Sequence, residues 1–176
     1  AGKEQTETVS GYGDYIISGS SDKSTWQEVI KGLPAYMTDE DKTIHYCTGC
    51  GVCNEGKPCP QKDDAPEIVR KMVAADVIVL ATPVYFYTMS AQMKTLIDRC
   101  CAGYLEIRDK EFYFIVAAAE TSVAAMERTI DGFRGFLDCL ENPTVKGIVY
   151  GLGVWHTGEI KGNPAMQEAY EMGKSI

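Results

Sequence analysis

From residue 63 onward, apolar positions follow two alternating periods. Over 63–75 they recur at helical spacing, with Ile68, Val69, Met72 and Val73 on one face. Asp76 interrupts, and Val77-Ile78-Val79-Leu80-Ala81 follows as a continuous, mostly β-branched run. Such a run suits a strand buried on both faces, as in a parallel sheet. Thr82-Pro83 is expected to end it. Residues 90–101 read as a second helix, with Met93, Leu96 and Ile97 on one face, and 112–118 as a second buried strand. Residues 121–140 form a third helical pattern with Met126, Ile130, Phe133 and Leu137 inside, stopped by Pro143. Residues 145–152 read as a further strand. A closing helix over 164–175 carries Pro164 near its first turn. Helix and strand thus alternate, which predicts an α/β sheet with helices on both faces.

The first 46 residues are less patterned. Residues 1–14 are polar and read as a loose tail, 15–18 and 43–46 as short strands, and 26–33 as a short helix stopped by Gly32 and Pro34. The two extra strands bring the expected sheet to five. The 176-residue length and the absence of repeats or linkers predict a single domain over 1–176. Ala1 rather than Met stands first, as expected of a chain processed, tagged or truncated upstream. Hydrophobic residues at 45% and charged residues at 24% are ordinary for a soluble protein, and neither a secretory signal nor a membrane span is expected. The formal net charge of -8 argues against a partner bound through nucleic-acid phosphates.

Open parallel sheets bind ligands beyond the carboxyl ends of their strands. After the first strand, residues 19–25 read either as a phosphate cradle or as a plain polar loop. The cradle's donors would be the hydroxyls of Ser18, Ser20, Ser24 and Thr25, and Asp22 weighs against it. After the strand at 77–81, Tyr85-Phe86-Tyr87 puts three aromatics at a strand end. They read as the rim of a flat ring cofactor, as a staple, or as a dimer contact. Ala118-Ala119-Glu120 leaves room for a ring near the backbone; Thr121 or Ser122 as a helix cap is the plainer reading.

Composition carries one exception, seven cysteines, four of them at Cys47-x2-Cys50-x2-Cys53-x5-Cys59 before Pro60. Their odd number and clustering point to reduced thiols in a cytoplasm rather than to a disulfide scaffold. Three readings of the cysteine-rich loop 47–62 stand side by side: a [4Fe–4S] centre on four thiolates, a four-cysteine zinc site, and a metal-free thiol loop. Cys100, Cys101 and Cys139 are expected to be packing thiols. His45 and His156 have no nucleophile partner at a recognisable spacing, so no catalytic residue is assigned.

Several segments together carry a family resemblance. Cys47-Thr48-Gly49-Cys50-Gly51-Val52-Cys53 with Lys62-Asp63-Asp64, the stretch 75–86, the helix 90–99, and the late segment 158–164 resemble the flavodoxin-fold NAD(P)H-dependent FMN reductase family. The cysteine spacing also resembles that of its iron–sulfur flavoprotein branch. The resemblance implies a flavodoxin-like three-layer sandwich, with a five-stranded parallel sheet of order 2-1-3-4-5 and FMN at its carboxyl edge. It implies that Pro83, Val84, Tyr85, Phe86 and Met89 flank the isoalloxazine, with Ala118, Ala119 and Glu120 at its other edge. It further implies NAD(P)H as hydride donor to the flavin, a small-molecule or protein electron acceptor, a homodimer or higher homo-oligomer, and a possible [4Fe–4S] cluster on the loop. The family's usual Gly-Ser-Pro-Arg phosphate loop is matched here only by Gly19-Ser20-Ser21-Asp22. The alternatives are an iron–sulfur flavoprotein serving as a non-enzymatic electron carrier, steered by its acidic surface, and a zinc module without flavin.

Overall fold

The computed structural model describes residues 15–17, 37–38, 42–156 and 158–176. The expected tail at 1–14, the cradle with Ser18, Ser20, Ser24 and Thr25, and the helix at 26–33 lie outside the described residues. In chain order the elements are β1 (Tyr15–Ile17), β2 (Met37–Thr38), α1 (Ala65–Ala74), β3 (Val77–Tyr85), β4 (Thr88–Met89), α2 (Ala91–Arg99), β5 (Glu111–Ala117), α3 (Val123–Leu137), β6 (Thr144–Gly151) and α4 (Pro164–Lys174).

The sheet runs β2-β1-β3-β5-β6 with parallel pairings, and β4 folds back antiparallel on the end of β3. The sheet is therefore mixed, not the five-stranded, all-parallel sheet expected. Two sequence expectations shift with it. Residues 43–46 form no strand; the strand beside β1 is Met37–Thr38. Nor does Thr82-Pro83 stop β3, which continues to Tyr85 and pairs Pro83 with Ala117. Pro83 lies two residues beyond Ala81, the last described partner of β1, and contributes no N–H of its own to the sheet.

β3 and β5 are buried along almost their whole length because both of their faces are covered. On one face Ile78, Leu80, Phe112, Phe114 and Val116 pack against Ile68 and Met72 of α1, Met93 and Leu96 of α2, and Met126, Ile130 and Phe133 of α3. Phe114 and Phe133 meet with ring centroids 4.8 Å apart. On the other face Val79, Ala81, Tyr113, Ile115 and Val149 pack against Ile160 and against Ala165 and Ala169 of α4. Each fully buried large side chain contributes roughly 1.5–3 kcal/mol. This two-sided burial holds the carboxyl ends of β3, β5 and β6 in fixed relation, and the candidate site lies there.

Candidate functional site

At the end of β3, Val84 pairs with Met89 and Tyr85 with Thr88, leaving Phe86 and Tyr87 as a two-residue hairpin loop. Both loop residues have positive φ, 50° and 64°. Tight hairpins favour that conformation, but it normally calls for Asn-Gly. Two aromatics held there store backbone strain, a feature that clusters at ligand clamps. Their exposure agrees with such a role: Phe86 is fully solvent-accessible, and Tyr85 and Tyr87 are about half so. Tyr87 is also tied down. Its hydroxyl donates to Glu120 Oε1 at 3.2 Å, and the Arg128 guanidinium lies 5.8 Å from its ring centroid.

Glu120 belongs to the segment leaving β5. Ala118 N–H donates to the Gly151 carbonyl, Val154 N–H to the Ala118 carbonyl, and Gly153 N–H to the Glu120 carbonyl. The loops after β5 and β6 are thereby laced together beside the hairpin. Gly151 makes this approach possible, since a Cβ there would stand 3.0 Å from Ala117 Cβ. Pro83 and Ala118 are buried, Val84 is half-buried and Ala119 is exposed. Met89 is buried, and a Cβ on Gly132 would come within 2.8 Å of its terminal methyl, so it braces the hairpin from beneath. Ser122 is the N-cap of α3, but its side chain makes no capping bond.

The cysteine loop is a second feature, anchored by a clamp that local sequence patterns did not reveal. Arg99, at the end of α2, forms a two-pronged ion pair with Asp63, Nη1 to Oδ2 at 2.5 Å and Nη2 to Oδ1 at 2.9 Å. Both side chains are buried. Arg99 also donates to the His45 carbonyl at 2.7 Å and to Cys59 Sγ at 3.5 Å. Asp63 accepts from the N–H groups of His45 and Ala65. Burial alone would raise its pKa, but the Arg99 hydrogen bonds, these backbone donors and the guanidinium charge outweigh that and hold it at about 2. Thr43 N–H donates to the Asp64 carboxylate, and Asp64 N–H donates back to the Thr43 carbonyl. Residues 43–46 thus spend hydrogen bonds on the start of α1 rather than on a strand partner.

Between these anchors the loop turns through Gly49, Gly51 and Gly56, all at positive φ, where only glycine sits without strain. Cys47, Cys50, Cys53 and Cys59 line one cavity of about 110 Å³. Cys101 lines it too, with its Sγ 3.7 Å from that of Cys53. Of the three expected packing thiols only Cys100 is buried, against Met72 Sδ, and burial pushes it up to about 12. Cys101 and Cys139 are exposed. Cys100 and Cys101 occupy one short 3-10 turn, Cys100–Ala102, so consecutive side chains face opposite ways, one to the core and one to the loop. The four loop thiols share a rim without converging on a point, and among the described residues no three His, Cys, Asp or Glu side chains meet as a single-ion site.

Residues 16–156 match the model of the NADPH-dependent FMN reductase family. The chain belongs to that family. An iron–sulfur flavoprotein of Methanosarcina thermophila is 30% identical over 173 residues, covering 89% of this chain and 85% of the relative. A second iron–sulfur flavoprotein, from Archaeoglobus fulgidus, is 50% identical over 58 residues, 33% of this chain and 26% of that relative. The chain thus spans about a quarter of that relative's length in the matched stretch. The structure of the Trp repressor binding protein from Bacillus subtilis superposes with a TM-score of 0.66 at 20% identity, covering 90% of this chain and 98% of the other, which establishes a flavodoxin-like fold.

In this FMN reductase family member the hairpin and the thiol loop are not separate. A broad groove of about 930 Å³ runs from Thr88 and Met89 at the hairpin base, over Ile97, Tyr104 and Phe136, to Cys47 and Cys101. Among the described residues no helix is long and apolar enough to cross a membrane.

Proposed function

We propose that the chain is an FMN-dependent oxidoreductase that draws reducing equivalents from NAD(P)H and passes them to a second acceptor. The observation that carries this reading is the family match over residues 16–156, coinciding with an exposed aromatic hairpin at the carboxyl edge of the sheet. When bound, FMN supplies a ring that accepts a hydride and releases electrons singly or in pairs. The residues suited to hold it are Pro83, Val84, Tyr85 and Phe86 on one side and Ala118, Ala119 and Glu120 on the other. The hydroxyls of Ser18, Ser20, Ser24 and Thr25 would serve its phosphate. The Tyr87–Glu120 hydrogen bond ties the hairpin to the β5 loop, which supports a gap between them of fixed width for the ring. Hydride transfer between two stacked rings needs no acid or base from the protein. The task of these residues is to position the rings and exclude water.

Cys47, Cys50, Cys53 and Cys59 are the residues that would hold a [4Fe–4S] cluster. A zinc ion asks four sulfurs to meet about 2.3 Å from one point. In an iron–sulfur cube each thiolate takes a separate iron, and four cysteines at Cys-x2-Cys-x2-Cys-x5-Cys spacing around one cavity suit that demand. The Arg99 hydrogen bond to Cys59 Sγ is of the kind that tunes a cluster's potential. The groove joining thiols and hairpin favours a second use of the same parts, as a one-electron carrier whose net charge of -8 steers it to a basic partner. The exposed Tyr85, Phe86 and Tyr87 suit burial against a second copy of the chain.

Steady-state oxidation of NADH and NADPH by the FMN-loaded protein, with ferricyanide or a benzoquinone as acceptor, tests the enzyme reading. Many turnovers per protein are expected with at least one nucleotide. Flavin-loaded protein that oxidises neither, yet exchanges electrons with a reduced ferredoxin, would replace the enzyme by the carrier.

A further inference from the structure

The cavity beside the cluster motif holds a fifth thiol that the motif does not include. Cys101 comes from the turn after α2, far along the chain from the loop, yet its sulfur lies 3.7 Å from Cys53 Sγ. Its turn is anchored by the two residues before it. The preceding Cys100 is sunk into the core beside Met72, and Arg99 before that grips Asp63, the His45 carbonyl and Cys59. The turn carrying Cys101 and the loop carrying Cys53 are therefore held against one another by a buried ion pair. Cys101 is itself exposed, so a small soluble oxidant can reach it.

We propose that Cys53 and Cys101 are a dithiol pair that closes to a disulfide when the loop carries no cluster, and that this bond bars cluster assembly until it is reduced. The second half of the proposal rests on the cluster reading above; the first does not. The oxidant is a low-molecular-weight disulfide. The thiolate of one cysteine attacks a sulfur of that disulfide, forming a mixed disulfide and releasing one small thiol. The second cysteine, as thiolate, attacks the protein sulfur of the mixed disulfide, and the second small thiol leaves. Two protein thiols are oxidised, the two electrons reduce the small disulfide, and the protons end on the two released thiols. The sulfurs must close from 3.7 Å to roughly 2.0 Å, the length of the new bond. Cys53 is then lost as a ligand, leaving Cys47, Cys50 and Cys59 for a centre that needs four.

The test uses the full chain, reduced, freed of metal by a chelator, and held in buffers of stepped oxidised-to-reduced glutathione ratio. Remaining thiols are alkylated and the peptides mapped by mass spectrometry. The expected result is one intramolecular link between the Cys53 and Cys101 peptides, absent in Cys101→Ser. A link confined to the four loop cysteines, or glutathione stably attached to Cys53 in the wild type, overturns the pair. Each form is then offered ferrous iron and sulfide anaerobically. Linked wild type should take up neither until dithiothreitol is added, whereas reduced Cys101→Ser should take up both as reduced wild type does. Equal uptake by linked and reduced protein overturns the barrier to assembly. If neither reduced wild type nor Cys101→Ser takes up iron and sulfide, the cluster reading fails and the proposed barrier with it, while the peptide map still decides the pair.

Discussion

Asp63 and Arg99 are 36 positions apart, yet they hold the thiol loop to the fold. A local pattern shows Asp63 as one of two acidic residues before a helix and Arg99 as a basic residue at a helix end, both ordinary. Only the three-dimensional path, with α1 and α2 side by side, makes them partners, so spacing within a window could not reveal them. The cysteines show the same limit: Cys47, Cys50, Cys53 and Cys59 are legible as a group because they are local, and Cys101 is not. The clamp yields a prediction with a definite sign. Asp63 is held at about 2 against an ordinary 3.8, so its contribution to stability is complete above pH 4 and fades as pH falls towards 2. Asp63→Asn strands a buried guanidinium and should cost about 3–5 kcal/mol near neutral pH. Denaturant unfolding of both proteins across that acid range should show the gap between them shrinking. A gap that stays constant to pH 2 would mean that the carboxylate charge is not what holds the loop.

At the scale of elements, the helices and the long strands were legible because burial imposes a period. α1, α2, α3, α4, β5 and β6 lie close to where the apolar positions put them. The failures have local causes. β3 outruns its expected end because Pro83 still pairs with Ala117 of β5, and Thr82 adds side-chain bonds, donating to the Pro83 carbonyl and accepting from Ser90 N–H. The hairpin that follows was hidden because Phe86-Tyr87 is chemically the wrong pair for a turn with two positive φ angles. That mismatch is testable. Replacing Phe86-Tyr87 with Asn-Gly should relieve strain of order 1–3 kcal/mol per residue, partly offset by the lost Tyr87–Glu120 bond, and raise the unfolding midpoint. The same change removes the aromatic rim, so FMN affinity should fall. A variant both more stable and unchanged in FMN binding would remove the hairpin from the site.

For the whole molecule, a sheet covered on both faces fixes the ends of β3, β5 and β6, and the groove from the hairpin to the thiols follows from that fixed frame. Fold class was legible at this scale because continuous apolar strands alternating with amphipathic helices allow few other arrangements. The candidate site was legible where its residues are local, at the strand ends and in the cysteine loop, and not where the fold brings distant residues together. The proposed function requires FMN to bind at this carboxyl edge, beside a thiol loop able to hold a cluster. The visible absorption spectrum of anaerobically purified protein, recorded before and after addition of FMN and then of ferrous iron and sulfide, tests it most directly. Two resolved flavin bands that stay with the protein through gel filtration, and a broad brown shoulder that Cys50→Ser loses while keeping the flavin bands, are the predicted result. Protein that remains colourless after FMN addition and gel filtration would contradict it.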